Sequence, residues 1–87
     1  MLFTVYVIQN REGLLYKGVT TNLKKRLVYH NRGLSRWSHG RGPFKLVYKE
    51  FFESKTEALK KEKFLKSGKG REFLKGVIND TERGVAW

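Results

Sequence analysis

Glu62 is an acidic residue whose neighbours in the sequence indicate a chemical role. On a helix, its i−4, i−3 and i+3 neighbours are Ala58, Leu59 and Leu65, so its carboxylate would lie on an apolar stripe. A carboxylate in that place is desolvated unless a cation pairs with it. The cation could be an Arg or Lys side chain in a structural ion pair, or a divalent metal ion, which takes oxygen ligands. The helix by itself favours the ion pair and leaves the metal ion open.

Arg26 and His30 raise a similar question on an earlier helix. They are four residues apart and therefore share one helical face, along one edge of its apolar side. That apolar side is formed by Leu23, Leu27 and Val28. Lys24 and Lys25 are interpreted as solvated side chains or as phosphate contacts. An isolated Arg or His is usually a surface group, so this pair gains meaning only from what else reaches its face.

Tyr6 and Tyr16 lie on two predicted strands that form a hairpin. Residues 2–9 are β-formers and apolar on both faces, which predicts a central strand, and residues 14–19 predict its antiparallel partner. The turn between them, over 10–13, ends in a glycine suited to a positive φ. Taken singly, each tyrosine is a packing aromatic whose hydroxyl reaches water.

The remaining predicted elements place Arg26 and Glu62 on helices. They are a helix over about 22–32, a strand over 44–52, a helix from 54 to about 66 and a last short helix over 71–78. Ser54 and Glu57 form a capping box that opens the second helix, and a glycine-rich run over 67–70 predicts a break after it. The order ββαβαα indicates an α+β fold, with a three-stranded antiparallel or mixed sheet flanked by helices.

Length and charge limit the classes of function. The 87 residues predict a single domain, 1–87, with its motifs within about 3–78 and a tail over 79–87. A count of 19 Lys and Arg against 8 Asp and Glu gives a formal charge of +11. This charge favours a polyanionic partner such as DNA or RNA, although a solvated surface or a ribosome-associated protein would also carry it.

Targeting signals and cysteine chemistry are missing from the sequence. There is no Cys, so disulfides and thiolate zinc sites are excluded. No apolar run approaches the ~20 residues of a membrane span, and the first residues lack the basic region of a secretory signal. We therefore expect a cytoplasmic protein with no membrane contact.

A glycine-punctuated basic loop over 33–43 is the predicted substrate edge. It combines phosphate-seeking charge with a stacking ring, as in proteins that bind single strands and junctions. With the preceding helix, the predicted nucleic-acid contacts are Lys24, Lys25, Arg32, Arg36, Trp37, His39 and Arg41. The alternative is a mobile loop whose Trp37 packs into the core. His30 and His39 lack the spacing of zinc-finger ligands.

The order of these residues resembles the GIY-YIG nuclease family, especially its small stand-alone members and the N-terminal nuclease domain found in the bacterial excinuclease ABC. TVY at 4–6 stands where the family has GIY, and YKG at 16–18 stands where it has YIG. The family's arginine, ten residues after the second tyrosine, is matched by Arg26, and its histidine four residues later by His30. Its metal-binding glutamate, in an A-L-x-x-E context, is matched by Glu62. The resemblance covers nearly the whole chain.

The resemblance implies a metal-dependent endonuclease, with DNA favoured over RNA and branched or single-stranded DNA as candidate substrates. Glu62 would hold one Mg²⁺ or Mn²⁺ ion, and Arg26 would clamp phosphate oxygens in bidentate fashion. Tyr6 or Tyr16 would help to generate the nucleophile, which requires neighbouring cations to shift a phenol that titrates near ~10. The sequence leaves both tyrosines open. His30 would orient a tyrosine or relay a proton.

Four positions depart from the family pattern. Thr4 replaces the glycine of the first motif, and Lys17 replaces the isoleucine of the second. Val19 stands where many members have a lysine, and Leu74 where many have an asparagine. A module that binds DNA or RNA on the same fold without cutting it is therefore an alternative, and a basic accessory that docks on an acidic protein is a third. The binding module would have no need of Glu62 on an apolar face.

Overall fold

The computed structural model describes residues 1–35 and 38–82 and contains the predicted order of elements. These elements are the strands β1 (Phe3–Asn10), β2 (Leu15–Thr20) and β3 (Phe44–Phe52) and the helices α1 (Leu23–Asn31), α2 (Lys55–Leu65) and α3 (Gly68–Glu82). The order ββαβαα and the α+β class are confirmed. In this part of the chain no helix has both the length and the apolar character needed to cross a bilayer.

The three strands form one antiparallel sheet in the order β2-β1-β3, so the mixed alternative does not apply. β1 is the central strand, as its apolar residues on both faces predict, and Val5, Val7 and Ile8 are fully buried. The side-chain oxygen of Asn10 accepts hydrogen bonds from two backbone N–H groups of the hairpin turn. Gly13 adopts the predicted positive φ, at 88°.

Helices cover both faces of the sheet. Successive side chains of a strand point to opposite faces, so β1 presents apolar side chains to the helices on each side. Tyr6 and Ile8 of β1 pack against leucines of α1. On the opposite face the valines of β1 pack against Ala58 and Leu65 of α2 and Leu74 of α3. Since β2 is an edge strand, groups from both helical layers can meet beside it.

The first helix begins and ends as predicted but is rotated relative to the expected apolar side. The Asn22 side chain accepts a hydrogen bond from the backbone N–H three residues later, and Gly33 takes a positive φ of 67° just beyond the helix. The helix packs on the sheet through Leu23 and Leu27. Val28, which the sequence assigned to the same side, is instead 45% exposed.

The last helix is longer than predicted. It extends over Gly68–Glu82, whereas the sequence indicated a break over 67–70 followed by a short helix. A Cβ atom at Gly70 would overlap the backbone of Phe64 and Leu65. This glycine therefore permits the close approach of α3 to the end of α2 and does not end a helix.

Candidate active site

A cavity of about 430 Å³ opens at the end of the sheet where β1 begins and β2 ends. Side chains from β1, β2, α1 and α2 line it, so it spans the edge strand between the two helical layers. Its chemically active side chains are Tyr6, Tyr16, Arg26, Lys55 and Glu62. Four of the five residues predicted to be catalytic are thus brought together; the fifth is His30.

Tyr6 owes its position to Gly18, which lies directly across from it in the β1–β2 register. An ideal Cβ atom at residue 18 would be 2.6 Å from the Tyr6 hydroxyl oxygen and 2.7 Å from the ring carbon that bears it. Any other side chain would push the ring away, so glycine is required for this close approach. The ring lies across β2, with its centroid 6.1 Å from that of Tyr16. This contact is the physical reason for a glycine in the YKG segment.

His30 lies behind the cavity and not in its lining. Its side chain is 1% exposed, and its Nε2 atom is 3.0 Å from the Tyr6 hydroxyl oxygen. Burial above all, and then the nearby Arg26 guanidinium, lower its pKa, so the ring is neutral at pH 7. Its buried Nδ1 atom has no hydrogen-bond partner among the described residues. The sequence placed His30 along the edge of α1; it is buried because Tyr6 reaches across the sheet to meet it.

The two tyrosines differ in their access to the cavity. Tyr6 is 2% exposed, and burial, followed by the neighbouring Tyr16, raises its pKa above that of an ordinary phenol despite the opposing effect of Arg26. At neutral pH Tyr6 keeps its proton and is not suited to act as a phenolate base. Tyr16 is partly exposed on the edge strand, so of the two tyrosines that line the cavity it is the more accessible to a water molecule.

Glu62 faces the cavity and is not sealed against the sheet. Its side chain is 22% exposed, and Leu59, three residues earlier, is 45% exposed. Its ion-pair partner among the residues that the structure describes is Lys66, the residue directly after α2, with Nζ 3.7 Å from Oε1. The ion pair that the helix alone favoured thus exists in an exposed form, and the carboxylate still lines the cavity.

The donor set of the cavity fits one hard, partly hydrated cation. Within residues 1–35 and 38–78, no three His, Cys, Asp or Glu side chains converge on a common point, which argues against a site enclosed by protein ligands there. Leu74, at the position where an asparagine was expected from the family pattern, is fully buried in the core and supplies no ligand. One carboxylate beside open space suits Mg²⁺, which retains several waters and binds through one or two carboxylates plus substrate phosphates.

Arg26 and Lys55 supply the positive charge of the cavity. The guanidinium carbon of Arg26 lies 5.2 Å from the centroid of the Tyr29 ring, which is within the range of a cation–π contact. Lys55 is the first residue of α2, and sequence reasoning missed it because the segment was interpreted only as a helix cap. The available signal was its spacing of seven residues from Glu62, which places both side chains on one helical face.

The predicted nucleic-acid contacts lie on α1, just after it, and in the loop before β3. Those that the structure describes are all exposed, and they are Lys24, Lys25, Arg32, His39 and Arg41. Arg36 and Trp37 lie outside the described residues, so their roles stay predictions. These five side chains are therefore accessible at the surface, although exposed lysines and arginines also lie on β3, α2 and α3.

Comparison with known proteins gives one consistent relationship. The model of the GIY-YIG catalytic domain matches residues 2–75. A UPF0213 protein of Clostridium perfringens is 48% identical over 63 residues, which cover 71% of this chain and 68% of that protein. A UPF0213 protein of Staphylococcus haemolyticus is 38% identical over 74 residues, which cover 84% of this chain and 90% of that protein.

A solved structure supports the same relationship at the level of the fold. The solution NMR structure of a UPF0213 protein from Bacillus halodurans is 35% identical to this chain, with a TM-score of 0.56. The similarity covers 88% of this chain and 85% of that one. The names of these relatives state no activity and no substrate, so the chemistry has to be argued from the cavity.

Proposed function

We propose that this chain, which belongs to the GIY-YIG family, is a metal-dependent endonuclease that hydrolyses phosphodiester bonds in DNA. The observation that carries the proposal is the meeting of Tyr16, Arg26 and Glu62 in one cavity. Phosphodiester hydrolysis needs a group that directs a water at phosphorus, charge that neutralises the phosphate, and help for the departing oxygen. Tyr16 could direct the water and Arg26 could neutralise the phosphate, while a divalent cation held by Glu62 would help the departing oxygen by offsetting its negative charge as the bond to phosphorus breaks.

Arg26 would bind the scissile phosphate. Its planar fork can donate two parallel hydrogen bonds to the non-bridging oxygens, which a lysine cannot do. The cation–π contact with the Tyr29 ring would favour part of the orientations open to the fork before the substrate arrives. Lys55 adds a second positive charge to the same cavity from α2.

Tyr16 would contact the attacking water, and Tyr6 with His30 would hold Tyr16 in place. Tyr6 keeps its proton, hydrogen-bonds to the Nε2 atom of His30 and also hydrogen-bonds to Tyr16. Its contribution is therefore the orientation of the Tyr16 hydroxyl. Because His30 is buried and neutral, it acts through Tyr6 and does not touch the substrate.

Glu62 would hold the divalent cation, Mg²⁺ or Mn²⁺. When bound, this cation neutralises the negative charge that develops on the phosphate oxygens during hydrolysis. The cavity leaves room beside the carboxylate for water and for a phosphate oxygen. The carboxylate is shared with Lys66, which a cation would displace at little cost because that ion pair is exposed.

The partner in this proposal is nucleic acid. The charge of +11 favours DNA and RNA equally, and the family resemblance favours DNA. Cytoplasmic location stays a prediction.

A second candidate function is a non-catalytic DNA- or RNA-binding module. The Glu62–Lys66 ion pair favours it, because the carboxylate already has a cationic partner.

The test is incubation of the protein with flapped, branched, single-stranded and duplex DNA, with and without Mg²⁺ or Mn²⁺. Cleavage that requires the cation and is lost in Glu62→Gln would support the endonuclease. The matched control is Glu57→Gln, which removes a 60% exposed carboxylate from the same helix and should cut as the wild type does. Salt-sensitive binding without cleavage of any substrate would favour the binding module.

A further inference from the structure

A second groove, of about 490 Å³, runs along the outer face of α1 beside the active-site cavity. We call it the α1 groove; its chemically distinctive residues are Lys25, Arg26, Val28, Tyr29, Arg32 and Leu34. Thr20, Thr21 and Arg26 line both the groove and the cavity, so the two are continuous. Its volume falls in the range of roughly 300–1,000 Å³ that is typical of ligand sites.

The α1 groove combines apolar side chains with uncompensated positive charge. Val28 and Leu34 are 45% and 61% exposed. Leu34 follows the glycine that ends α1, where an apolar contact with the last helical turn is common, yet most of its side chain stays open to solvent. Exposed apolar side chains beside a cleft are typical of a binding surface. Lys25 and Arg32 are exposed at the same groove, and its described lining contains no Asp or Glu.

We propose that the α1 groove holds an unpaired nucleobase of the strand whose phosphate Arg26 binds. This inference rests on the proposed function and deepens it, because it assigns the substrate class as DNA with an unpaired nucleotide beside the cut. Arg26 lines both spaces, so a phosphate in the cavity and a base in the groove would belong to the same or adjacent nucleotides.

The chemistry of a nucleobase matches the groove better than that of a peptide does. A base presents a flat ring that packs on apolar and aromatic side chains and on guanidinium planes. The Tyr29 ring and the Arg26 guanidinium, which are in cation–π contact, offer such surfaces in the groove lining. The phosphates on either side of the base match Lys25 and Arg32. An apolar peptide could contact Val28 and Leu34 but would leave these cations unpaired. A base inside an intact duplex is stacked and paired, so it cannot enter without being extruded.

The test measures binding in the presence of a chelator, so that cleavage plays no part. A short single strand carrying the fluorescent base 2-aminopurine is titrated with wild type and with Val28→Gln/Leu34→Gln. A blunt-ended duplex of the same strand with its complement is titrated in parallel. The matched control is Leu14→Gln/Phe51→Gln, which removes two apolar side chains that are 41% and 54% exposed outside the groove. All three proteins carry the same charge.

We expect the groove variant to bind the single strand about tenfold more weakly and to lose the fluorescence change, because the stacking contact is removed. Its affinity for the duplex, and both affinities of the control, should match the wild type. Melting curves verify folding, and substitutions at exposed positions should leave the fold intact. If the double variant does not fold, Val28→Gln or Leu34→Gln alone can be used in the same titration.

Unchanged single-strand binding by the groove variant would overturn the inference, and so would equal losses for strand and duplex. An apolar protein segment would then be the remaining occupant, and the proposed nuclease would stand. If the wild type bound neither strand nor duplex at low salt, the proposed function itself would fail.

Discussion

Replacement of Glu62 by glutamine keeps the shape of the side chain and removes the charge that would hold a divalent cation. The structure sets the cost in stability. The ion-pair partner of Glu62 is Lys66, one helical turn away. Its Nζ atom is 3.7 Å from Oε1 of Glu62, and its side chain is 56% exposed. An exposed i,i+4 ion pair contributes about 0.3–0.5 kcal/mol to the free energy of unfolding. For a domain of this size the Tm should therefore fall by only about 1–4 °C.

A buried ion pair between Glu62 and Arg26 would give a different result. Breaking such a pair costs on the order of 3–5 kcal/mol, because it leaves an unpaired charge in the interior. The corresponding decrease in Tm would be about 12 °C or more. The observed pairing with Lys66 predicts the small decrease.

The assay is a circular-dichroism melt and a cleavage reaction with Mg²⁺ on one preparation of each protein. We expect Glu62→Gln to melt within a few degrees of the wild type, to bind DNA at least as tightly, and to lose cleavage. Lys66→Gln is the control, because it breaks the same ion pair and keeps the carboxylate; it should melt similarly and still cut. A large decrease in Tm with unchanged cutting would refute the assignment of Glu62 to the metal.

Four further predictions concern other parts of the site. Arg26→Lys should retain most DNA binding and lose most cleavage, because the charge stays and the bidentate fork is lost; cleavage at the wild-type rate in a parallel binding and cleavage assay would contradict this. Gly18→Ala should destabilise the fold by about 1–3 kcal/mol in urea unfolding, because its Cβ would collide with the opposing tyrosine hydroxyl. The folded-state pKa of His30 is lowered, so the unfolded chain takes up the proton first, and stability should fall as the pH decreases below about 6.5. Melts above and below that pH check this, and His30→Gln should lack this part of the dependence. Lys55→Gln should weaken DNA binding and slow cleavage with little change in Tm; unchanged rates would remove Lys55 from the site.

Features encoded by short stretches of sequence were predicted well. β3 has the predicted limits, Phe44–Phe52. The Ser54 side chain accepts a hydrogen bond from the Glu57 backbone N–H, as the capping box requires. Gly13 has the positive φ that the turn needs. These signals depend on residues only a few positions apart, so no knowledge of the tertiary structure is needed to use them.

Features that depend on contacts between elements were missed. The burial of His30 requires Tyr6 to cross the sheet and reach α1. Gly70 has the appearance of a helix breaker in a local window, and its role in helix packing emerges only when α3 folds back on α2. Lys55 joins the cavity, and Val28 faces solvent, because of how α2 and α1 are rotated on the sheet. The motifs selected Tyr16, Arg26 and Glu62, which the structure brings together in one cavity, but the supporting contacts depend on how the elements pack.

The strand order also determines when the cavity can form. β1 pairs with β2 through a short turn, whereas its pairing with β3 joins residues 3 and 52. Contacts between distant residues form more slowly, because a long loop must close first. The tyrosines of the cavity come from the hairpin, and its carboxylate comes from α2, which follows β3. A growing chain therefore has no complete cavity until α2 has left the ribosome. On refolding, we expect the cavity to form together with the slower pairing of β1 and β3, after the β1–β2 hairpin.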